Sequence, residues 1–418
     1  MSAQRFGMSV ALVMTVLLAG CDPFTGPGRA PARIESLPRA LTASEQQVIA
    51  RSNTFAFGLL REVYERESKP NVFISPLSAS MALGMTLNGA ANATFDSMRT
   101  TLGFQGLTQD EINKSYHDLT ELLLKLDPKV ELSIANSTWA RKGFPIKSSF
   151  YDAVTTWFGA EARELDFDDP ASVTTINTWA ASQTHDRITK VIDRIDPQMI
   201  LFLLNAVYFK GDWTNRFDTG DTRPSPFRLA NGQTVQVPMM HGKIKVGFTS
   251  RPGVVLGELP YGGQAFVLTI AMPEGSGTLA DLIASLTPER WAEWTGMLTT
   301  VDYNEISPLD VALPKLELKY ETLLNDALTA LGMGIAFDDQ RADFSRLTTA
   351  AQAYLEFVKQ NTFVKMDEKG TEAAAVTTVG VGVTSLPPSL VVDRPYLFAI
   401  RERLSGTILF LGAIGDPR

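Results

Sequence analysis

Glu368-Lys369-Gly370-Thr371-Glu372-Ala373-Ala374-Ala375-Val376-Thr377-Thr378-Val379-Gly380-Val381-Gly382-Val383-Thr384-Ser385-Leu386-Pro387-Pro388 is the part of this chain from which the fold can be argued. It follows an alternating run, Phe357 to Met366, in which Val358, Gln360, Thr362 and Val364 share one face, the pattern of a strand. From Gly370 to Ser385 there is no Ile, Leu or Met, no aromatic residue, and no charge except Glu372. A loop that stays on the surface has no reason to avoid charge, and a strand that stays in the core normally carries Ile, Leu or Phe. Small and β-branched residues in a long run suit a segment that can be an exposed loop at one time and a buried strand at another.

Written as a strand, the segment separates into two faces. Thr371, Ala373, Ala375, Thr377, Val379 and Val381 point one way; Glu372, Ala374, Val376, Thr378, Gly380 and Gly382 point the other. The first face is uncharged throughout, so it can enter a sheet without burying a charge, the expensive step. Composition alone leaves a second reading open, a flexible Ala/Gly/Thr connection between strands.

Sequence resemblance separates the two. Glu368 to Ala375, with Gly370, Thr371, Glu372, Ala373 and Ala374 between them, resembles the proximal hinge of serpins, and Ser385-Leu386-Pro387-Pro388 resembles the start of their distal segment. Counted as the family is counted, the resemblance implies a reactive bond between Thr384 and Ser385, with Val381, Gly382 and Val383 as bait. It further implies a suicide-substrate inhibitor of serine proteases whose freed hinge becomes a strand of the main sheet. A small β-branched Thr384 after Val383 suits the shallow pocket of elastase-like or subtilisin-like proteases; cleavage one residue earlier, at Val383–Thr384, stays open.

The resemblance extends over about Ser44 to Pro417 and implies an α+β fold of mostly antiparallel sheets with surrounding helices. Asn71-Val72-Phe73-Ile74-Ser75-Pro76-Leu77-Ser78 is similar to the short strand and helix start where the family's main sheet parts, which assigns Ser75 and Ser78 to that opening. Leu203 to Trp213 is the longest internal match; it places Asn205 in the central sheet strand and Trp213 where the loop first enters. Thr184-His185-Asp186-Arg187-Ile188 has Asp186-Arg187 where the family usually has Gly-Lys, and Tyr396 stands where Phe is usual. The family commonly carries a histidine at the position of Gln360. An amide both donates and accepts, so Gln360 can bridge Ser75 or Ser78 to Asn205, but it cannot titrate near neutral pH.

The N-terminus reads as a processing signal. Arg5 precedes an apolar run from Met8 to Gly20, too short to span a bilayer as a mature helix, and residues 1–20 are expected to be removed. Leu18-Ala19-Gly20-Cys21 resembles a bacterial lipobox, so Cys21, the only cysteine, is expected to carry the lipid that holds the protein to a membrane outside the cytoplasm. Residues 21–43, rich in Pro and Gly, read as a tether. The domain is expected over 44–418, with the reactive loop at about 368–390. Ser44-Glu45-Gln46-Gln47 matches a capping box, and Val48, Phe55, Leu59 and Val63 mark the inner face of the helix that follows.

Composition excludes more than it proves. A formal net charge of −8 over 418 residues argues against nucleic acid as a partner. Three scattered histidines, His117, His185 and His241, and one cysteine provide no metal-ligand spacing, and no Gly-x-Ser-x-Gly occurs. Neither an enzyme nor a cofactor is expected, and a monomer facing one protease is the simplest assembly. Two alternatives stay open: a non-inhibitory serpin, and a lipoprotein that binds a partner through its loop without being cut.

Overall fold

Thr42, not Ser44, caps the first helix. Its hydroxyl accepts from the Glu45 N–H at 3.2 Å while the Glu45 carboxylate accepts from the Thr42 N–H at 2.7 Å. The expected box was therefore two residues late: both spacings match the pattern, but only Glu45 also binds Arg39, at 2.9 Å, and so is held in place. The expected inner face is right, with Val48, Phe55, Leu59 and Val63 all buried.

The computed structural model describes residues 33–299, 301–350, 352–370 and 388–418. The main helices among them are α1 (Ala43–Arg66), α2 (Pro76–Leu87), α3 (Asn92–Thr101), α4 (Gln109–Leu126), α5 (Ser148–Phe158), α6 (Ala171–Gln183), α7 (Leu279–Ala284), α8 (Pro288–Thr299) and α9 (Asn325–Leu328). The strands begin with β1 (Asn71–Ile74), β2 (Val130–Arg141), β3 (Glu161–Leu165), β4 (Leu201–Gly211), β5 (Arg223–Arg228), β6 (Thr234–Ile244), β7 (Gly247–Arg251) and β8 (Val254–Pro260). They continue with β9 (Phe266–Pro273), β10 (Leu309–Pro314), β11 (Leu316–Leu323), β12 (Lys359–Met366), β13 (Ser389–Val391), β14 (Tyr396–Glu402) and β15 (Ile408–Ile414). No helix among the described residues is long and apolar enough to cross a membrane.

A six-stranded antiparallel sheet, ordered β1-β15-β14-β9-β8-β7, forms the back of the core, and β14 and β15 are buried along their whole length. Helix α2 is buried on nearly every side and lies between this layer and the strands in front. A second sheet has the order β13-β10-β6-β5. In front stand two separate pieces, a three-stranded β3-β2-β4 and a two-stranded β11-β12. Alternation made Gln360, Thr362 and Val364 one face, and all three are buried, with Met366. Helix α6 covers the three-stranded piece through Trp179 and Ile176, which pack with Trp139 and Phe202.

The stretch expected as a tether divides in two. Residues 1–32, including Cys21, lie outside the described residues, whereas from Arg33 the chain lies on the domain. The Ile34 N–H donates to Gly263 O at 2.9 Å, Arg403 donates to Ile34 O at 3.0 Å, and Arg33 pairs with Asp302 at 3.1 Å. These partners stand far off in sequence, so a Pro- and Gly-rich composition does not reveal them.

One misfit in the core is testable. The Tyr396 hydroxyl is buried without a hydrogen-bond partner, and burial pushes its pKa well up. Tyr396→Phe removes an unsatisfied polar atom and is expected to raise stability by about 1 kcal/mol; a fall in the midpoint of denaturant unfolding would show that the hydroxyl is satisfied.

Candidate functional site

Strands β4 and β12 are the inner edges of the two front pieces, and no ladder joins them among the described residues. They face each other across a cleft. At its lower end lies a cavity of about 320 Å³, lined by Leu201, Leu203 and Asn205 from β4 and by Phe357, Lys359 and Asn361 from the other side. At its upper end Tyr208 and Lys210 stand across from Phe363 and Lys365. The two edges run parallel, so a chain filling the cleft antiparallel to both would be hydrogen-bonded on each side.

The floor of the cleft is the start of α2. Ser75 is its N-cap: the Ser75 hydroxyl accepts from the Ser78 N–H at 3.3 Å and donates to Leu409 O at 2.8 Å. Pro76 at the first helical position fits, because the N–H it lacks would have no partner there. The Gln360 amide grips the Ser75 backbone from the β12 side: its Oε1 accepts from the Ser75 N–H at 3.0 Å and its Nε2 donates to Ser75 O at 2.7 Å. On the β4 side, the Ser78 hydroxyl donates to Asn205 O at 3.4 Å. Gln360 therefore does not bond Asn205 directly, as one form of the sequence reading had it; α2 stands between them, and the link runs Gln360–Ser75–Ser78–Asn205. The Asn205 side chain turns the other way, donating to Asn136 Oδ1 at 2.6 Å, and its Oδ1 is buried without a partner.

The upper end is closed by the turn from Asp367 to Gly370, where the sequence places the hinge. Asp367 and Gly370 exchange backbone hydrogen bonds at 2.9 and 3.1 Å, which turns the chain back on β12 through Glu368 and Lys369. Gly370 is bridged antiparallel to Asp367 on one side and to Asp212 on the other, so it already occupies the middle of three strands. Its φ is 118°, and a Cβ there would meet Gly211 O and Trp213 N at 2.4 Å; only glycine fits. Trp213 holds the turn from the β4 side. Its ring stacks on Tyr261 with centroids 4.5 Å apart, its Nε1 donates to Asp367 O at 2.9 Å, and its backbone N–H donates to Lys369 O at 2.9 Å.

Glu368 is the polar anchor of this turn. Its buried carboxylate accepts from Thr222 at 2.6 Å and from Lys315 at 2.9 and 3.0 Å. Burial alone would raise its pKa, but the hydrogen bonds from Thr222 and Lys315 outweigh it and hold the group below the ordinary range. Sequence reading assigned no role to Thr222, Lys315 or Tyr261, and no local signal marks them. Thr371 to Ala375, the bait Val381 to Val383, and Thr384 and Ser385 lie outside the described residues. The three histidines are scattered: His117 stands 4.0 Å from Glu121, His185 2.8 Å from Glu131, and His241 3.0 Å from Ser225.

The turn after α6 crosses the outside of the cleft. His185 and Asp186 both take left-handed backbone, with φ of 48° and 60°. The His185 ring packs tilted against Tyr208 of β4 with centroids 4.7 Å apart, and Arg187 lies over the Phe363 ring of β12 at 5.4 Å.

Comparison with known proteins agrees with this geometry. The family model described as Serpin (serine protease inhibitor) matches residues 50–417. Human Serpin B8 is 32% identical over 373 residues, covering 88% of this chain and 98% of its own length. Iripin-5 of Ixodes ricinus is 32% identical, covering 88% and 95%, and Serpin A3-5 of Bos taurus is 30% identical, covering 100% and 99%. Among solved structures, the thermophilic serpin tengpin in its native state superposes with a TM-score of 0.79 at 26% identity, covering 92% of this chain and 97% of its own. Human thyroxine-binding globulin reaches 0.79 at 28% identity, covering 90% and 100%.

Two outcomes are expected at the hinge. Gly370→Ala forces a clash with the β4 backbone and a disfavoured φ, and is expected to lower stability by about 1–3 kcal/mol, read by thermal unfolding; an unchanged midpoint would mean that the hinge is not held between Asp212 and Asp367. For pH, the folded value of Glu368 lies below its unfolded value near ~4.3, so its contribution is present above that pH and fades as pH falls through the lower folded value. Glu368→Gln is expected to flatten this acid-side loss in unfolding curves below about pH 4.5; an identical pH slope in both proteins would remove Glu368 as the cause.

Proposed function

The chain belongs to the serpin family, whose members are generally protease inhibitors rather than enzymes, and we propose that it is a single-use inhibitor of elastase-like or subtilisin-like serine proteases. The protease serine attacks the Thr384 carbonyl. An ester forms to Thr384, the peptide bond to Ser385 breaks, and the proton leaves on the new Ser385 amine. The freed ribbon then fills the cleft from Gly370 downward, and the esterified protease travels with it.

The observation that carries this reading is Gly370, bridged at once to Asp212 just past β4 and to Asp367 just past β12, above a cleft whose two edges have no ladder between them among the described residues. Continued antiparallel from that register, Thr377 comes level with Gln360 and Asn205. The inward positions from Thr371 to Val381 are all small or β-branched and none is charged, so the slide buries no ion. Val381, Gly382, Val383 and Thr384 offer neither a basic nor an aromatic side chain before the reactive bond, which is the basis for the choice of target. We further propose, from the Leu18 to Cys21 motif, that the inhibitor works as a monomer held by lipid on Cys21 to a membrane outside the cytoplasm.

Incubation with a panel of elastase-like and subtilisin-like proteases is expected to yield an adduct stable on a denaturing gel, with a mass lacking Ser385 to Arg418. Thr371→Arg puts a large cation on the inserted face and is expected to give cleavage without an adduct. A wild-type chain that is cut by the whole panel and never trapped would instead be a non-inhibitory serpin, and one that no protease cuts would be a loop-binding lipoprotein.

A further inference from the structure

Residues 33–41 lie on the domain as neither helix nor strand, yet they are held along their length. Leu37 and Leu41 pack on the core, and Arg39 donates to the buried Glu45 carboxylate at 2.9 Å. At the other end Arg33 pairs with Asp302 at 3.1 Å, the Ile34 N–H donates to Gly263 O at 2.9 Å, and Arg403 donates to Ile34 O at 3.0 Å. The Ile34 side chain covers the same glycine: a Cβ on Gly263 would lie 3.0 Å from its Cδ1. This strap presses on the turn 261–264 between β8 and β9.

The turn is strained and held from three sides. Gly262 and Gln264 both have left-handed backbone, with φ of 46° and 71°, and at Gln264 the Cβ makes that costly. Asp127, after α4, accepts from the Gly263 N–H at 2.7 Å; Arg403, after β14, donates to Gln264 O at 3.0 Å; the strap is the third support. Asp127 and Arg403 directly follow a helix and a strand that the core fixes. The strap alone belongs to no element, so it can lift without breaking one.

What rests on the turn is the support of the hinge. The Gly262 N–H donates to Asp212 O at 2.8 Å, and the Thr214 hydroxyl donates to Gly262 O at 3.1 Å. Tyr261 is bridged antiparallel to Trp213, on whose ring it stacks, and Asp212 is the residue to which Gly370 is bridged. Backbone contacts therefore run without a gap from Ile34 through Gly263, Gly262 and Asp212 to Gly370.

We propose that residues 33–41 are a brake on the inhibitor's own insertion: by fixing the turn 261–264 they hold Asp212 and Trp213 in place, and with them the hinge turn that keeps the ribbon out of the cleft. This adds a regulator to the insertion reading and rests on it. With the strap lifted, the hinge frees itself more often, and the uncut ribbon enters the cleft and is lost as an inhibitor.

The test uses the full chain and follows, without protease, the rate at which uncut protein loses trapping activity and gains a higher melting temperature. Ile34→Pro deletes the N–H that reaches Gly263 and is expected to speed this conversion several-fold, whereas Ile34→Val leaves it unchanged. Arg33→Ala, which removes only the ion pair with Asp302, is expected to act in the same direction and decides the matter if Ile34→Pro does not fold. Hydrogen exchange is the second readout: the Trp213, Gly262 and Gly370 amides are expected to exchange faster in Ile34→Pro, with those of β14 and β15 unchanged. Conversion at the wild-type rate in both Ile34→Pro and Arg33→Ala, or faster exchange spread evenly into β14 and β15, would overturn the brake while insertion stands. If nicking the loop leaves the wild-type melting temperature unchanged, insertion itself is overturned and this inference falls with it.

Discussion

The structure depends on two strand edges that face each other without being paired among the described residues. β4 and β12 each present a row of backbone donors and acceptors into the cleft, and exposed edges of this kind recruit other strands. Proline is one device that blunts such an edge; β5 carries it, with Pro224 and Pro226. β4 and β12 carry no proline between Leu201 and Gly211 or between Lys359 and Met366. Their facing rows are left able to pair.

A small set of directional polar bonds helps to keep the halves in place at the two ends of the cleft. Below, the N-terminus of α2 reaches one half through Gln360 and the other through Ser78. Above, Trp213 and Glu368 fasten the hinge turn to both sides. Each such bond contributes only about 1 kcal/mol net and can be exchanged for another of equal kind. A hydrophobic seam could not be exchanged so simply, because opening it would expose apolar area with no substitute partner. Polar seams at both ends suit a sheet that opens and recloses, as the proposed insertion requires.

Sequence reading reached the parts of this arrangement that are written locally. Alternation from Phe357 to Met366 gave the buried face of β12. Alternation says which face of a strand is buried but nothing about which edge is paired, so the division of the front layer into two pieces could come only from family resemblance. The partners of Glu368 were illegible for a related reason. Lys315 lies 53 residues away and Thr222 146, and only the meeting of three sheet elements brings them to one carboxylate. The capping box failed differently: two overlapping patterns were equally good, and the tertiary partner Arg39 decided between them.

Asp186 shows how far a local rule can be broken when the surroundings compensate. The family's usual glycine there has no Cβ to oppose a left-handed backbone, yet His185 and Asp186 both adopt it here. The strain is offset on both flanks: His185 gains the Tyr208 ring and the Glu131 carboxylate, and Arg187 gains the face of Phe363. Because those contacts lie on opposite sides of the cleft, the turn ties one sheet half to the other from outside, where α2 does so from beneath. In the proposed insertion a strand passing between the halves would change the distance this turn spans, and left-handed backbone at His185 and Asp186 is strain that such a change can relieve.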